Sequence, residues 1–418
     1  MLDLHTLQNE AQSLKAELFQ IYKDLHQHPE PGFEETRTSG IIANYLKDLG
    51  LSVQTGLAFT GVVGLLDSGK PGKTLMLRAD MDCLAISDQS GLPYCSQNEG
   101  YCHACGHDSH VTMLLGAANI LSRHKEDFCG KIKFVFQPCE EGSLKDEVNQ
   151  ALADAGYVGR PGEAGLGGAG FLIQKGVLEG VDACIGLHVQ PELPLGSLSL
   201  CKEAACASTD KFTITFQGKG GHGSTPHKVI DPVPAIAELI QAIHMLPTRE
   251  ANAAETTIFH IGEISTPGSL WSAVADKAVI SGGYRTYNEE TRRLFGKRVP
   301  ELAQHIAEAW RCTMIYDHVT GYAPTINNPE LSARVADYCR KILGEDKVLY
   351  TDRPMLTAED FSEYARLVPS VLVWLGSATG PDAPALHNPR FHVAEEVLPV
   401  GVQVHVGNAL AYLNGVLS

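Results

Sequence analysis

A thiol, an imidazole and two adjacent carboxylates set the strongest constraint on this chain. The segment His103-Ala104-Cys105-Gly106-His107-Asp108 places Cys105 and His107 two residues apart, and Glu140-Glu141 follows about thirty-five residues later. Sulfur and imidazole ligands together suit a borderline-soft ion such as zinc or manganese. One carboxylate of the pair can complete the grip while its neighbour takes a proton from a water that the ion activates. A fold that uses these groups together has to bring both segments to one place.

At 418 residues the chain exceeds a typical single core, so two domains are expected. Apolar residues at 44% and charged residues at 20% describe a globular protein, neither disordered nor low in complexity. A net charge of -16 and a pI near 5.5 argue against nucleic acid or an anionic membrane as a partner, and leave room for a locally basic pocket. Residues 1–25 carry an amphipathic helix pattern with no positive segment before an apolar run, so no signal peptide is read. No apolar stretch approaches ~20 residues, so no membrane span is expected. Eleven irregularly spread cysteines read as reduced core thiols, and the cytoplasm is the expected compartment.

Residues 73–81 read as a buried strand ending in Asp80 and Asp82, and residues 109–121 as a helix. Lys131 to Gln137 alternates as a strand and runs into Pro138-Cys139-Glu140-Glu141-Gly142. Residues 182–189 form an apolar run with His188 near its end, and residues 371–375 form another. Strands separated by helical segments predict an α/β layer architecture, with acidic, Cys and His residues at the carboxyl ends of the runs, where open α/β sheets place their sites. Residues 143–170 are rich in Gly and Ala and read as a long loop with one or two helical turns, either part of the site's rim or a tolerated surface insertion.

The middle of the chain has a different rhythm. Residues 211–217 alternate Phe212, Ile214 and Phe216, and a Gly-rich turn follows. Asp231-Pro232 is expected to open a helix with Ile236, Leu239, Ile240 and Ile243 on one stripe. Residues 256–264 and 278–287 read as strands. Asn288 caps a second helix with Phe295, Val299, Leu302, Ile306 and Trp310 at threes and fours, and residues 313–320 form a last strand. The order β-α-β-β-α-β is that of a ferredoxin-like unit, inserted from about 206 to 320.

Each candidate has a plainer reading. The 103–107 cluster fits a structural metal knuckle or core residues, although no second closely spaced pair stands nearby to close such a site. Cys102, His103 and His110 also lie close, so spacing leaves the ligand choice open. Adjacent acids usually mark a solvated face, but Glu140-Glu141 follow a strand. His188 fits a satisfied core histidine, His387 a surface turn and His222 a hairpin turn. A cysteine nucleophile at Cys105 is the mechanistic rival, and it leaves Glu140-Glu141 without a role.

Eight segments in order carry a resemblance. They are Leu25-His26-Gln27-His28-Pro29-Glu30, Arg78-Ala79-Asp80-Met81-Asp82, His103 to Asp108, Gln137-Pro138-Cys139-Glu140-Glu141-Gly142, Gly186-Leu187-His188-Val189, Gly220-Gly221-His222, Thr357-Ala358-Glu359-Asp360-Phe361 and Leu386-His387-Asn388-Pro389. Across almost its full length the chain resembles the M20 metallopeptidases, in the amidohydrolase subfamily of N-acyl-amino-acid amidohydrolases, hippurate hydrolases and auxin-conjugate hydrolases. The resemblance implies a zinc-peptidase-like α/β catalytic domain with a mixed sheet and flanking helices, from residues 1–205 and 321–418. It makes residues 206–320 a ferredoxin-like lid and dimerisation domain. It implies two divalent ions (zinc or manganese, with cobalt or nickel also suited) on Cys105, His107, Glu141, His188 and His387, with Cys105 bridging. It assigns Glu140 as general base and His222, from the second subunit of a homodimer, as donor to the oxyanion. Arg285, in Tyr284-Arg285-Thr286-Tyr287, fits a place where a substrate carboxylate is held bidentately, against the plain reading of a surface strand arginine.

The chain departs from the subfamily in two places. A long segment separates Gly142 from Gly167-Gly168-Ala169, and Trp271-Ser272-Ala273-Val274-Ala275-Asp276 stands where an Asn-Val-Ile-Pro-like element is usual. The expected activity is amide hydrolysis of N-acyl amino acids. A metallo-dipeptidase or carboxypeptidase, a cysteine-nucleophile hydrolase and a non-catalytic binding homologue are the alternatives.

Overall fold

Strands that alternate strictly between two sets of apolar neighbours imply a sheet covered on both faces, and the central strands do so. Leu75, Leu77 and Ala79 pack into one core with Ile132, Phe134 and Phe136, whereas Met76 and Val135 face the other way, with Cys184, Leu372 and Trp374. A computed structural model describes residues 2–142, 146–158 and 167–417. Its larger sheet has eight strands, in the order Ser52–Leu57, Gly61–Asp67, Lys131–Gln137, Thr74–Asp80, Ala183–Gln190, Ser370–Gly376, Leu198–Cys201 and Val348–Thr351. The central strands run parallel, and antiparallel pairings flank them, so the sheet is mixed. Helices His107–Arg123 and Val397–Leu413 pack together on one face, joined by the N-terminal helices Leu4–Ser13 and Lys15–Gln27. The short helices Gly168–Gln174 and Ser362–Ala365 lie on the other face.

Residues 210–320 build a second, four-stranded antiparallel sheet. Its spatial order is Thr257–Ser265, Lys277–Thr286, Asp210–Gln217, Thr313–Thr320. Numbered along the chain, that is 2-3-1-4, the order of a ferredoxin-like sheet. Helices Val233–Arg249 and Glu289–Ala309 cover one face through Phe212, Ile214, Phe216, Leu239, Phe295 and Val299, all fully buried. Each such side chain contributes roughly 1.5–3 kcal/mol. Asn288 accepts from the N–H groups of Glu290 and Thr291, as the sequence predicts.

Three expectations need adjustment. The N-terminal helix is broken at Leu14 into two. The helix after Asp231 begins at Val233, whose N–H bonds Asp231 Oδ1 at 3.0 Å. In residues 143–170, expected as a long loop with one or two helical turns, Asp146–Asp154 is a nine-residue helix anchored by buried Leu152, and the helix Gly168–Gln174 starts at the segment's end. Residues 143–145 and 159–166 of that segment lie outside the described residues. No helix among the described residues is long and apolar enough to cross a membrane.

Candidate metal centre

The centre assembles where several parallel strands end. Thr74–Asp80 delivers Asp80 and Asp82, Lys131–Gln137 delivers Glu140 and Glu141, and Ala183–Gln190 delivers His188. The thiol comes from a tight entry into a helix. Gly106 has φ +85°, and a Cβ there would lie 2.5 Å from Val189 Cγ2. Only glycine lets Cys105 and His107 flank that turn, with His107 opening the helix. His387 arrives from a C-terminal loop, pinned by its own N–H to the Ala104 carbonyl at 2.7 Å.

These groups converge. Ligand atoms of Cys105, Glu141 and His387 lie within 4.8 Å of one another, as do those of His107, Glu140 and Glu141. His188 Nε2 stands 3.5 Å from Cys105 Sγ, and His387 Nε2 stands 3.2 Å from Glu141 Oε1. The backs of the imidazoles are held. His107 Nδ1 meets the Asp82 carboxylate and carbonyl, each at 3.0 Å, and His188 Nδ1 donates to the Val189 carbonyl at 2.7 Å. Such bonds turn Nε2 toward the cluster. His107 Nε2 is buried there without a hydrogen-bond partner.

The electrostatics describe a site that wants a cation. Burial, reinforced by Glu141 and Glu140, pushes the Cys105 thiol well above its ordinary range. Burial also pushes Glu140 well up, aided by Glu359, Glu141 and Asp360. Burial opposes a charged His107, yet Asp80 and Asp82 raise it to about 10. Without a metal, protons occupy positions that a divalent ion would compete for. An orphaned imidazole nitrogen, a thiol that ionises only beside a cation, and carboxylates aimed at the same space fit such an ion. His110 falls in a further grouping with Asp80, His107 and His188, but both its ring nitrogens are engaged, Nδ1 by Asp80 and Nε2 by the Val189 N–H at 2.9 Å; His103 is absent from every grouping of ligand atoms.

A cavity of about 190 Å³ opens on the centre, lined by Cys105, Glu140, Glu141, His188, Arg285 and His387. Thus Arg285, from the smaller sheet, faces the site. His222 does not line this cavity. It lies in a two-residue strand paired with Ala273–Val274, exposed, on a separate cavity with Trp271. Within one chain the two are apart.

Several residues of the site stood unassigned in the sequence reading. Arg78, 1% exposed, donates to Asp80, Glu359, Asp360 and Gln137 at 2.6–2.9 Å. Burial disfavours the charge on Asp80, but Arg78 with His107 and His110 holds it well below the usual range. Glu35 accepts at 2.9 Å from the N–H of Cys139, a non-glycine residue at φ +51°. The Tyr322 hydroxyl donates to the Glu140 carbonyl at 2.6 Å. An arginine inside an apolar strand was the available signal for the first of these.

Comparison with known proteins gives a consistent result. The model of Peptidase family M20/M25/M40 matches residues 76–410. "Thermostable carboxypeptidase 1" of Saccharolobus solfataricus is 33% identical over 98% of both chains. "N-acetyl-L-cysteine deacetylase" of Bacillus subtilis is 31% identical over 95% of this chain and 89% of that one. The crystal structure of the YXEP protein of Bacillus subtilis, described as a dinuclear metal binding peptidase from the M20 family, superposes with a TM-score of 0.78 at 26% identity. It covers 96% of this chain and 99% of the other.

Proposed function

Since the chain belongs to peptidase family M20/M25/M40 and is a metal-dependent hydrolase, we propose that it cleaves the amide bond of N-acyl amino acids, acetyl or aroyl, to a carboxylate and a free amino acid. One observation carries this reading: a buried carboxylate, Glu140, shares a small cavity with a thiol–imidazole–carboxylate donor set and an arginine without an ion-pair partner among the described residues. The deacetylase among the relatives supports the acyl side of the assignment.

Cys105, His107, Glu141, His188 and His387 would hold two divalent ions, with zinc or manganese foremost and cobalt or nickel also suited. Such ions, when bound, lower the pKa of water and polarise a carbonyl oxygen. Glu140 receives the proton of the attacking water on its carboxylate and returns it to the leaving amine nitrogen. Arg285 receives the substrate's α-carboxylate. His222, supplied by a second copy, donates to the oxyanion. In this reading residues 1–205 and 321–418 form the catalytic domain, and residues 206–320 the lid and dimerisation domain.

A carboxypeptidase or dipeptidase is the second reading, favoured by the relative of that name. Arg285 would hold the same carboxylate in either. A screen of acetyl, benzoyl and longer acyl amino acids alongside dipeptides, on metal-loaded protein, separates them. Strong chelation should abolish activity and added divalent metal restore it. Glu140→Gln should keep its metal and lose roughly 10²–10⁴-fold in turnover. A loss under about tenfold removes Glu140 from this role. Hydrolysis that survives chelation and is blocked by thiol alkylation assigns the chemistry to Cys105 as nucleophile.

A further inference from the structure

The cavity at the metal centre does not end at Arg285. Arg285 and Thr209 also line a second cavity of about 290 Å³, which continues along the smaller sheet on the face opposite its helices. Strand register fixes what stands there. Gly283 pairs with His260 on one side and Lys211 on the other, so the three form one row across the sheet, two residues along the strand from Arg285. Same-face rows are about 7 Å apart and neighbouring strands about 4.8 Å, so Lys211 and His260 flank the glycine at roughly 10 Å from each other. A Cβ at Gly283 would lie 3.0 Å from His260 Cε1 and 2.6 Å from the Asp210 carbonyl. The His260 imidazole therefore reaches over the bare glycine, and the trough runs between that ring and Lys211 on the far side of the row.

The charges in this trough are unspent. Lys211 has no ion pair among the described residues. Arg285 donates only to the Leu356 carbonyl, at 3.2 Å, and meets no carboxylate among them. Asp210, also in the lining, is engaged by Arg292 at 2.7 Å. In the next row the Thr213 and Ser281 hydroxyls bond each other at 3.0 Å, and exposed Glu263 opposite Ser281 closes the far end against a longer anion.

We infer that this trough is the subsite for the side chain of the substrate's amino acid, and that it takes an acidic one: an N-acyl glutamate or aspartate. The α-carboxylate sits on Arg285 and the side-chain carboxylate lies between Lys211 and the His260 imidazole that covers Gly283. This rests on the amidohydrolase reading and narrows it to a substrate class.

The test uses the full-length, metal-loaded protein with N-acetyl-glutamate, N-acetyl-glutamine and N-acetyl-leucine. Wild type should favour glutamate over glutamine in kcat/KM by about tenfold or more, the scale of one charge-assisted hydrogen bond. Lys211→Glu should raise KM for glutamate by at least that factor more than it raises KM for glutamine; His260→Ala should act in the same direction more weakly. In parallel, binding of the same three compounds to Glu140→Gln protein is measured by calorimetry. Preference for leucine, or an equal loss on all three compounds in Lys211→Glu, overturns the subsite while leaving amide hydrolysis standing. Selective glutamate binding that depends on Lys211, with no hydrolysis by wild type, keeps the subsite and overturns the amidohydrolase reading. Neither binding nor hydrolysis overturns both.

Discussion

Asp82 touches both halves of the centre. Its Oδ1 meets His107 Nδ1 at 3.0 Å, and its Oδ2 accepts from the Glu141 N–H at 2.9 Å. One side chain therefore holds an imidazole at the start of a helix and the backbone of a carboxylate residue that follows a strand. Asp82→Ala should lower metal affinity by about 10–100-fold, the usual cost of removing such a partner. Elemental analysis after dialysis against graded chelator checks this, and an unchanged metal content contradicts it. Farther from the centre, His405 is fully buried, and burial holds its pKa down at about 3. Unfolded, it titrates near 6.5. Below that pH the unfolded chain binds a proton that the folded chain refuses, so the contribution of neutral His405 is present above 6.5 and is lost as pH falls toward 3. Urea titrations of chelator-treated wild type and His405→Leu should differ in slope against pH by up to about 1.4 kcal/mol per unit below 6.5. Parallel curves contradict the assignment. At this scale the sequence shows residue types but not their partners. Arg78 and Asp80 are visible in one run, whereas the bonds from Arg78 to Glu359 and Asp360 span 281 and 282 positions.

Elements were legible where pattern and burial agree. Lys131–Gln137 matches its alternation residue for residue, because each apolar position meets one of two cores. The inserted sheet was legible for the same reason, with Phe212, Ile214 and Phe216 inward and polar residues between. Legibility failed where that coupling is absent. The edge strand Ser52–Leu57 is mostly exposed, and the pairing of Gly221–His222 with Ala273–Val274 is too short to leave a period. Val397–Leu413 is apolar on all sides because it is buried on all sides, which erases a helical stripe. Glycine punctuation carried information that hydrophobic pattern did not. Gly106→Ala forces a left-handed conformation on alanine, at about 1–2 kcal/mol, and drives its Cβ into Val189. A lower Tm together with reduced metal content is expected, measured by calorimetry and elemental analysis. A variant with wild-type Tm and full metal would show that the turn does not set the thiol.

For the whole molecule, the placement of His222 outside the metal cavity of its own chain is the decisive feature. In the proposed dimer that histidine serves the other copy's site. Glu140→Ala and His222→Ala, each nearly inactive alone, are unfolded, mixed equally and refolded. Half the dimers are then mixed, and one site in each has both groups, so about a quarter of wild-type activity should return. No gain over the separate variants assigns His222 to its own chain or to no role. A site completed across two chains also has a response that no single-chain enzyme has. Its specific activity is a function of its own abundance, falling on dilution as dimers part and recovering on concentration. Expression level then acts twice, once on the number of chains and once on the fraction of them that are whole.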